Sequence, residues 1–150
     1  MSDPDPQIVM TVDELNTFLD DAFPGQPRAY RVERVDREGL WMRLPYSEVQ
    51  LRPGGTRSGP TMMGLADGAA WLVTLARIGP VALAVTSNLT ISFLAKPGPA
   101  DLWAQATLLR LGRRQSVSEV RLWSEGGDPS APVAHATVTY AIPTDRGVGG

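Results

Sequence analysis

The segment from Pro60 to Ile78 places the strongest constraint on how this chain can fold. It reads PTMMGLADGAAWLVTLARI, begins with a proline suited to a first helical turn, and is followed by Gly79-Pro80, a stop signal. Only Asp67 and Arg77 are charged in it. Because a helix that is apolar nearly all round must be buried, the pattern predicts a central helix covered by other elements.

Strand patterns before and after this helix predict what covers it. A capping box, Thr11 with Glu14, first opens a short amphipathic helix. The predicted strands are 30–36, 40–44, 81–94, 102–111, 116–124 and 133–142. This order predicts an α+β fold in which an antiparallel sheet wraps the long helix. We divide the chain into a leader with a short helix (1–27), one main domain (28–143) and a flexible tail (144–150).

Composition excludes several classes of protein. The chain has no Cys and a single His, His135, which excludes disulfide scaffolds, thiolate zinc sites, a Cys nucleophile and zinc sites built from several His. A net charge of -2 gives no overall basic surface for nucleic acid. The sequence contains neither an 18-residue apolar run nor a signal-peptide pattern, so we expect a cytoplasmic protein without a membrane span.

Asp67 is the candidate functional residue of the long helix. A carboxylate inside an apolar envelope is costly to bury without donors, and a stable core alone gives no reason to place one there. Gly64, Gly68 and Trp71 share its helix face. The two glycines predict room beside the carboxylate for a ligand or another backbone. The alternative is that they serve close packing while Asp67 caps a neighbouring backbone group.

The segments LRPGGTRSGPTMMGLADGAAW and PVALAVTSNLTISFLAKP, with the LGRR turn, resemble the hotdog-fold thioesterases of the PaaI type. The resemblance covers about Tyr30 to Ile142. It implies a curved antiparallel sheet around one long helix, and protomers that pair their sheets into a homodimer or a dimer of dimers. It also implies hydrolysis of acyl-CoA thioesters at sites between protomers, with no metal and no cofactor beyond the CoA of the substrate.

The family motif, HGG with an acid nine positions after the His, falls here on Ser58-Gly59-Pro60 and Asp67. The resemblance therefore implies Asp67 as general base or nucleophile and the Gly59 N–H as donor to the thioester carbonyl. Ser58 replaces the family His, as a donor to the thioester or simply as a helix cap. Arg52 replaces the family Asn, as a ligand for a carboxylated acyl group or a phosphate, or as a solvated loop residue.

Arg113 and Arg114 lie in a turn that, in the resembling family, commonly faces the CoA nucleotide; the alternative is a turn with solvated charges. In the strand 81–94, simple alternation places Thr86, Asn88, Thr90 and Ser92 on one face. His135 is expected to be a half-exposed strand residue away from Asp67. The leading hypothesis is an acyl-CoA thioesterase. The alternatives are a non-catalytic acyl-CoA binding protein and a hotdog hydratase or dehydratase, which would pair a His with the acid.

Overall fold

The computed structural model describes residues 7–24, 30–47, 51–52 and 56–144, with the backbone alone described at 51–52 and 56–57. The proposed boundary at 27/28 and the tail from 145 onward lie outside these residues. The helices are α1 (Val12–Ala22) and α2 (Gly59–Ile78). The strands are β1 (Arg31–Asp36), β2 (Gly39–Leu44), β3 (Leu51–Arg52), β4 (Thr56–Arg57), β5 (Val85–Phe93), β6 (Leu102–Leu111), β7 (Gln115–Ser124) and β8 (Ala134–Ala141).

Six strands form one antiparallel sheet in the order β1-β2-β6-β7-β8-β5, and α2 packs across it from β2 to β5. This confirms the predicted α+β arrangement. Four alanines on the inner faces of β6 and β8 are fully buried against the helix side, which lets the sheet approach α2 closely: Ala104, Ala106, Ala134 and Ala136. Within the described ranges, no helix has the length and apolarity needed to cross a membrane.

Both ends of α2 are set by local chemistry. Ser58 is the N-cap, with an extended backbone, and Pro60 lies in the first turn, where its missing N–H costs nothing. Gly79 ends the helix with a φ of +94°, a conformation that glycine adopts without strain. The capping box of Thr11 and Glu14 is likewise present at the start of α1.

Two stretches differ from the sequence-based expectation. The strand predicted from residue 81 begins only at Val85, because a tight turn follows Gly79-Pro80. There the Val81 N–H donates to the Gly79 carbonyl at 2.8 Å, and the Ala84 N–H donates to the Val81 carbonyl at 3.2 Å. The segment predicted as a loop between Pro45 and Gly59 contains the two-residue strands β3 and β4, which pair with each other.

A bulge in β5 overturns the prediction that Thr86 and Asn88 share a face. Thr86 pairs with Tyr140 and Asn88 with Thr139, so Ser87 is an extra residue that no residue of β8 opposes in the register. Since residues opposite each other in a sheet share a face, Thr86 lies with Tyr140 on the side of α2. Asn88, opposite Thr139, lies on the outer side together with Thr90 and Ser92.

Candidate active site

Asp67 lies where α2 faces the start of β5 and the end of β8. Thr86 Oγ1 donates a hydrogen bond to Asp67 Oδ1 at 2.5 Å, and the Tyr140 hydroxyl donates to the same oxygen at 2.9 Å. The Tyr140 hydroxyl also lies 3.1 Å from the main-chain oxygen of Asp67. Among the described residues, no group bonds to Oδ2. Within the described part of the chain, one carboxylate oxygen is therefore held by the fold and the other is unpartnered.

The environment of Asp67 is neither bulk solvent nor a sealed core. The Asp67 residue is half-buried, while Tyr140 is only 5% exposed. Burial, with the neighbouring carboxylate of Asp67 as a further cause, raises the pKa of the Tyr140 hydroxyl well above its ordinary value. Tyr140 therefore keeps its proton and remains a donor throughout the physiological pH range.

The expected space beside Asp67 is present at one glycine and absent at the other. A Cβ at Gly68 would lie 2.8 Å from the Tyr30 hydroxyl, so this space is filled by a side chain of the same chain. The prediction of room at Gly68 is therefore wrong, and this glycine serves close packing instead. A Cβ at Gly64, one turn before Asp67, would meet nothing within 4 Å. Of these two glycines, Gly64 is therefore the one with open space beside it.

The backbone N–H groups at the start of α2 differ in whether they have an acceptor among the described residues. The Thr61 N–H donates to Ser58 Oγ at 3.2 Å, and the Ser58 and Thr61 hydroxyls are 2.8 Å apart, which confirms the capping role of Ser58. A role of Ser58 toward substrate stays a prediction. Among the described residues the Gly59 N–H has no acceptor. The Phe93 ring packs against this glycine, 3.3 Å from the position of a Cβ.

Gly59 and Asp67 of one chain are too far apart to act on one carbonyl group. They lie eight positions apart on the same helix, which places them about 12 Å apart along its axis. Both a general base and an oxyanion donor must come within about 3 Å of the reacting atoms. Any site that uses both residues must therefore combine two copies of the chain.

The hairpin between β6 and β7 lies at the same end of the sheet as the partners of Asp67. Register places Thr86, Tyr140 and Ser116 side by side on neighbouring strands, just below the turn. Arg113 and Arg114 line a surface depression of about 230 Å³ together with Pro143 and Thr144. The side chain of Arg52, the other predicted basic ligand, lies outside the described residues.

His135 lies on the opposite face of the sheet. It is half-buried between the inward-facing Ala134 and Ala136 of β8, and its Nε2 is 3.2 Å from Glu119 Oε2. The expectation of a strand histidine away from Asp67 is confirmed. Within one chain, a hydratase mechanism that pairs His135 with Asp67 has no geometric basis, because the sheet separates the two side chains.

A second depression also lies away from Asp67. Its volume is about 510 Å³, and three tryptophans of the outer sheet face line it: Trp41, Trp103 and Trp123. The rings of Trp103 and Trp123 stack at 6.5 Å, and the Arg34 guanidinium lies 4.2 Å from the centroid of Trp41. These contacts within one chain give each of the three tryptophan rings a packing partner.

A model of the thioesterase superfamily matches residues 54–131, which include the start of α2, Asp67 and the arginine hairpin. The chain belongs to the thioesterase superfamily. A candidate thioesterase from Silicibacter sp. TM1040 is 40% identical, with a TM-score of 0.84 over 93% of this chain and 96% of that one. Membership of this superfamily supports thioester hydrolysis as the general activity.

More distant solved structures share the fold. A thioesterase from Haemophilus influenzae is 16% identical, with a TM-score of 0.78 over 93% of this chain and 95% of that one. The phenylacetic acid degradation protein PaaI from Thermus thermophilus is 24% identical, with a TM-score of 0.64 over 77% and 94%. The hotdog fold implied by the PaaI-type resemblance is confirmed. No curated protein matches the chain significantly.

Sequence reasoning found Asp67 but missed both of its hydroxyl partners. Thr86 resembles an ordinary polar residue of an alternating strand, and only the bulge at Ser87 turns it toward α2. Tyr140 resembles a core aromatic residue of the last strand. No local pattern connects either residue to Asp67, since both contacts depend on how strands and helix pack.

Proposed function

We propose that the protein is an acyl-CoA thioesterase that hydrolyses its substrate to a free acid and CoA. The observation that carries the proposal is the carboxylate of Asp67 on an otherwise apolar helix, with Oδ1 held by Thr86 and Tyr140 and Oδ2 unbonded within the described residues. A carboxylate fixed in this way is suited to act as a general base. Family membership supplies the general chemistry of thioester hydrolysis.

In the proposed reaction Asp67 takes a proton from a water molecule as that water attacks the thioester carbonyl carbon. The carbonyl oxygen becomes an oxyanion that accepts a hydrogen bond from the Gly59 N–H, assisted by the positive end of the α2 dipole. When the tetrahedral intermediate collapses, the C–S bond breaks. The proton held by Asp67 then passes to the CoA sulfur, which returns the carboxylate to its starting state.

We propose a homodimer, because the two groups must come from different copies of the chain. Within the described residues, β5 is an edge strand of the sheet, and open sheet edges invite pairing. Exposed apolar side chains cluster at both ends of this strand, as is typical of an interface: Leu83, Val85, Phe93 and Leu94. A second copy that adds its own β5 would cover both features.

Two-fold antiparallel pairing of β5 also brings the right groups together. A pairing centred on the middle of the strand sets Val85 of one protomer opposite Phe93 of the other. Within each chain Phe93 packs on Gly59, and Thr86, next to Val85, bonds to Asp67. The pairing therefore brings the partner's Gly59 toward Asp67, and each dimer would hold two such sites.

We assign CoA phosphate binding to Arg113 and Arg114, which line the depression at this end of the sheet. Guanidinium groups bind phosphate through paired hydrogen bonds. We expect the double variant Arg113→Ala/Arg114→Ala to raise KM for acyl-CoA about tenfold or more, since hydrogen bonds to charged groups are at stake, while kcat stays unchanged. Steady-state kinetics with a thiol-detecting reagent measure both constants.

Two controls sharpen this prediction. An acyl-pantetheine thioester lacks the nucleotide phosphates, so its KM should not respond to the double substitution. Arg110→Ala removes a nearby exposed arginine that does not line the depression, and it should leave KM for acyl-CoA unchanged. An equal rise in KM for both substrates would assign the two arginines to something other than phosphate.

A panel of acyl-CoA thioesters tests the proposed function itself. We expect the wild-type protein to release CoA thiol from at least one member, with the free acid as the second product. Tight binding of acyl-CoA without release would identify a non-catalytic binding protein instead. Addition of water to an enoyl-CoA, with the thioester intact, would identify a hydratase.

A further inference from the structure

We propose that Tyr140 is a positioning residue for the hydrolytic reaction, which binds Asp67 Oδ1 and so leaves Oδ2 as the oxygen that takes the proton from water. The proposal rests on the proposed function, because it assigns a role within that reaction. It adds a residue that lies outside the family motif, on the last strand, 73 positions from Asp67 in sequence.

The contacts of Tyr140 fix the conformation of Asp67 as well as its hydrogen bonding. Its hydroxyl lies 2.9 Å from Oδ1 and 3.1 Å from the main-chain oxygen of the same residue. A donor placed between the backbone and side-chain oxygens of one aspartate restrains its side-chain torsions. The ring comes from β8 and is buried beneath the sheet, so the donor is held by a rigid element.

The two donors occupy Oδ1 of Asp67 and leave Oδ2 as the oxygen that can bind a water molecule. A carboxylate oxygen has two lone-pair sites, and Oδ1 already receives Thr86 and Tyr140. Oδ1 therefore has no site left for a water molecule. Oδ2 receives no hydrogen bond among the described residues, and the open space at Gly64 lies one helical turn away. The attacking water would accordingly be bound and deprotonated at Oδ2.

Tyr140→Phe tests this role while the buried ring is kept. We expect kcat to fall about tenfold or more, because a hydrogen bond to a charged group is lost, with little change in KM. Single-turnover kinetics separate this loss in the chemical step from an effect on acyl-CoA binding. Circular dichroism and the thermal midpoint monitor folding.

Ser116→Ala is the matched control. Ser116 is buried, lies opposite Tyr140 on β7, and bonds to Thr74 at 2.7 Å rather than to Asp67. Its loss should lower the thermal midpoint and leave kcat unchanged. If Tyr140→Phe keeps kcat within a few-fold of the wild-type value, or if Ser116→Ala lowers kcat equally, the positioning role is wrong even though hydrolysis stands. A wild type that hydrolyses no acyl-CoA would overturn the proposed function, and this role with it.

Discussion

Asp67→Asn should lower kcat for acyl-CoA hydrolysis by about 10²- to 10⁴-fold, the usual contribution of a general base. The amide has nearly the shape of the carboxylate, and its oxygen can still accept hydrogen bonds from Thr86 and Tyr140. It cannot accept a proton from water at neutral pH. The loss should therefore appear in kcat, measured by thiol release, while acyl-CoA still binds.

A structural aspartate provides the control for this substitution. Asp101, which directly precedes β6, accepts a hydrogen bond from the Tyr46 N–H at 2.7 Å and pairs with Arg43 at 3.4 Å. It has no contact with Asp67 among these bonds. Asp101→Asn should affect stability and leave kcat unchanged. If Asp67→Asn keeps kcat within a few-fold of the wild-type value, Asp67 is not the base and the proposed mechanism is wrong.

Gly59→Pro should lower kcat by about 10²- to 10³-fold, the usual cost of removing one oxyanion donor. Proline deletes the backbone N–H, which the first position of a helix does not need for an intrahelical hydrogen bond. Ser58 already has the extended backbone that a residue before proline requires, with a φ of -77° and a ψ of 155°. Because Pro60 follows, a residue with a Cβ at position 59 is less favoured in the helical region, and Gly59→Ala carries this same cost. Single-turnover kinetics measure the lost donor, and circular dichroism monitors the helix.

Gly59→Ala separates loss of the donor from added bulk. Alanine keeps the N–H, and its Cβ would lie 3.3 Å from the Phe93 ring, a contact that a ring movement of a few tenths of an ångström relieves. We expect this variant to retain most of its activity. Equal losses in Gly59→Ala and Gly59→Pro would mean that crowding of Phe93, and not the missing N–H, is responsible.

Much of the architecture follows from local sequence signals. The apolar run from Pro60 to Ile78 dictates a buried helix, Ser58 and Gly79 mark its ends, and Gly112 with the arginines marks the hairpin between two strands. These features depend on residues close together in the chain, where helix capping, turn chemistry and hydrophobic periodicity decide the outcome. Asp67 stands out for the same reason, as a lone acid in an apolar helix.

The details around Asp67 could not be predicted, because they depend on contacts between distant parts of the chain. The bulge at Ser87 places Thr86 on the face of the sheet opposite to Asn88, whereas simple alternation places both on one face. Nothing in the strand pattern marks this bulge. Tyr30, which directly precedes β1, fills the space at Gly68. Gly68 therefore serves packing and does not make room for substrate. Pairing between strands and the filling of space by remote side chains are set by the assembled fold.

The proposed dimer, in which Asp67 of one chain acts with Gly59 of the other, makes a prediction that a site within one chain does not make: two inactive variants should regain activity when they are mixed. When Asp67→Asn and Gly59→Pro chains are mixed in equal amounts and allowed to exchange subunits, about half of the dimers should be mixed. In each mixed dimer one site joins an intact Asp67 to an intact partner's Gly59, and the other site lacks both.

Thiol release from acyl-CoA by the exchanged mixture is the direct measurement. Random exchange predicts activity of about one quarter of the wild-type value per protomer, far above either variant alone. A mixture that exchanges subunits, as mass spectrometry of the intact dimer can confirm, and yet stays as inactive as its components would contradict a site shared between Asp67 of one chain and Gly59 of the other.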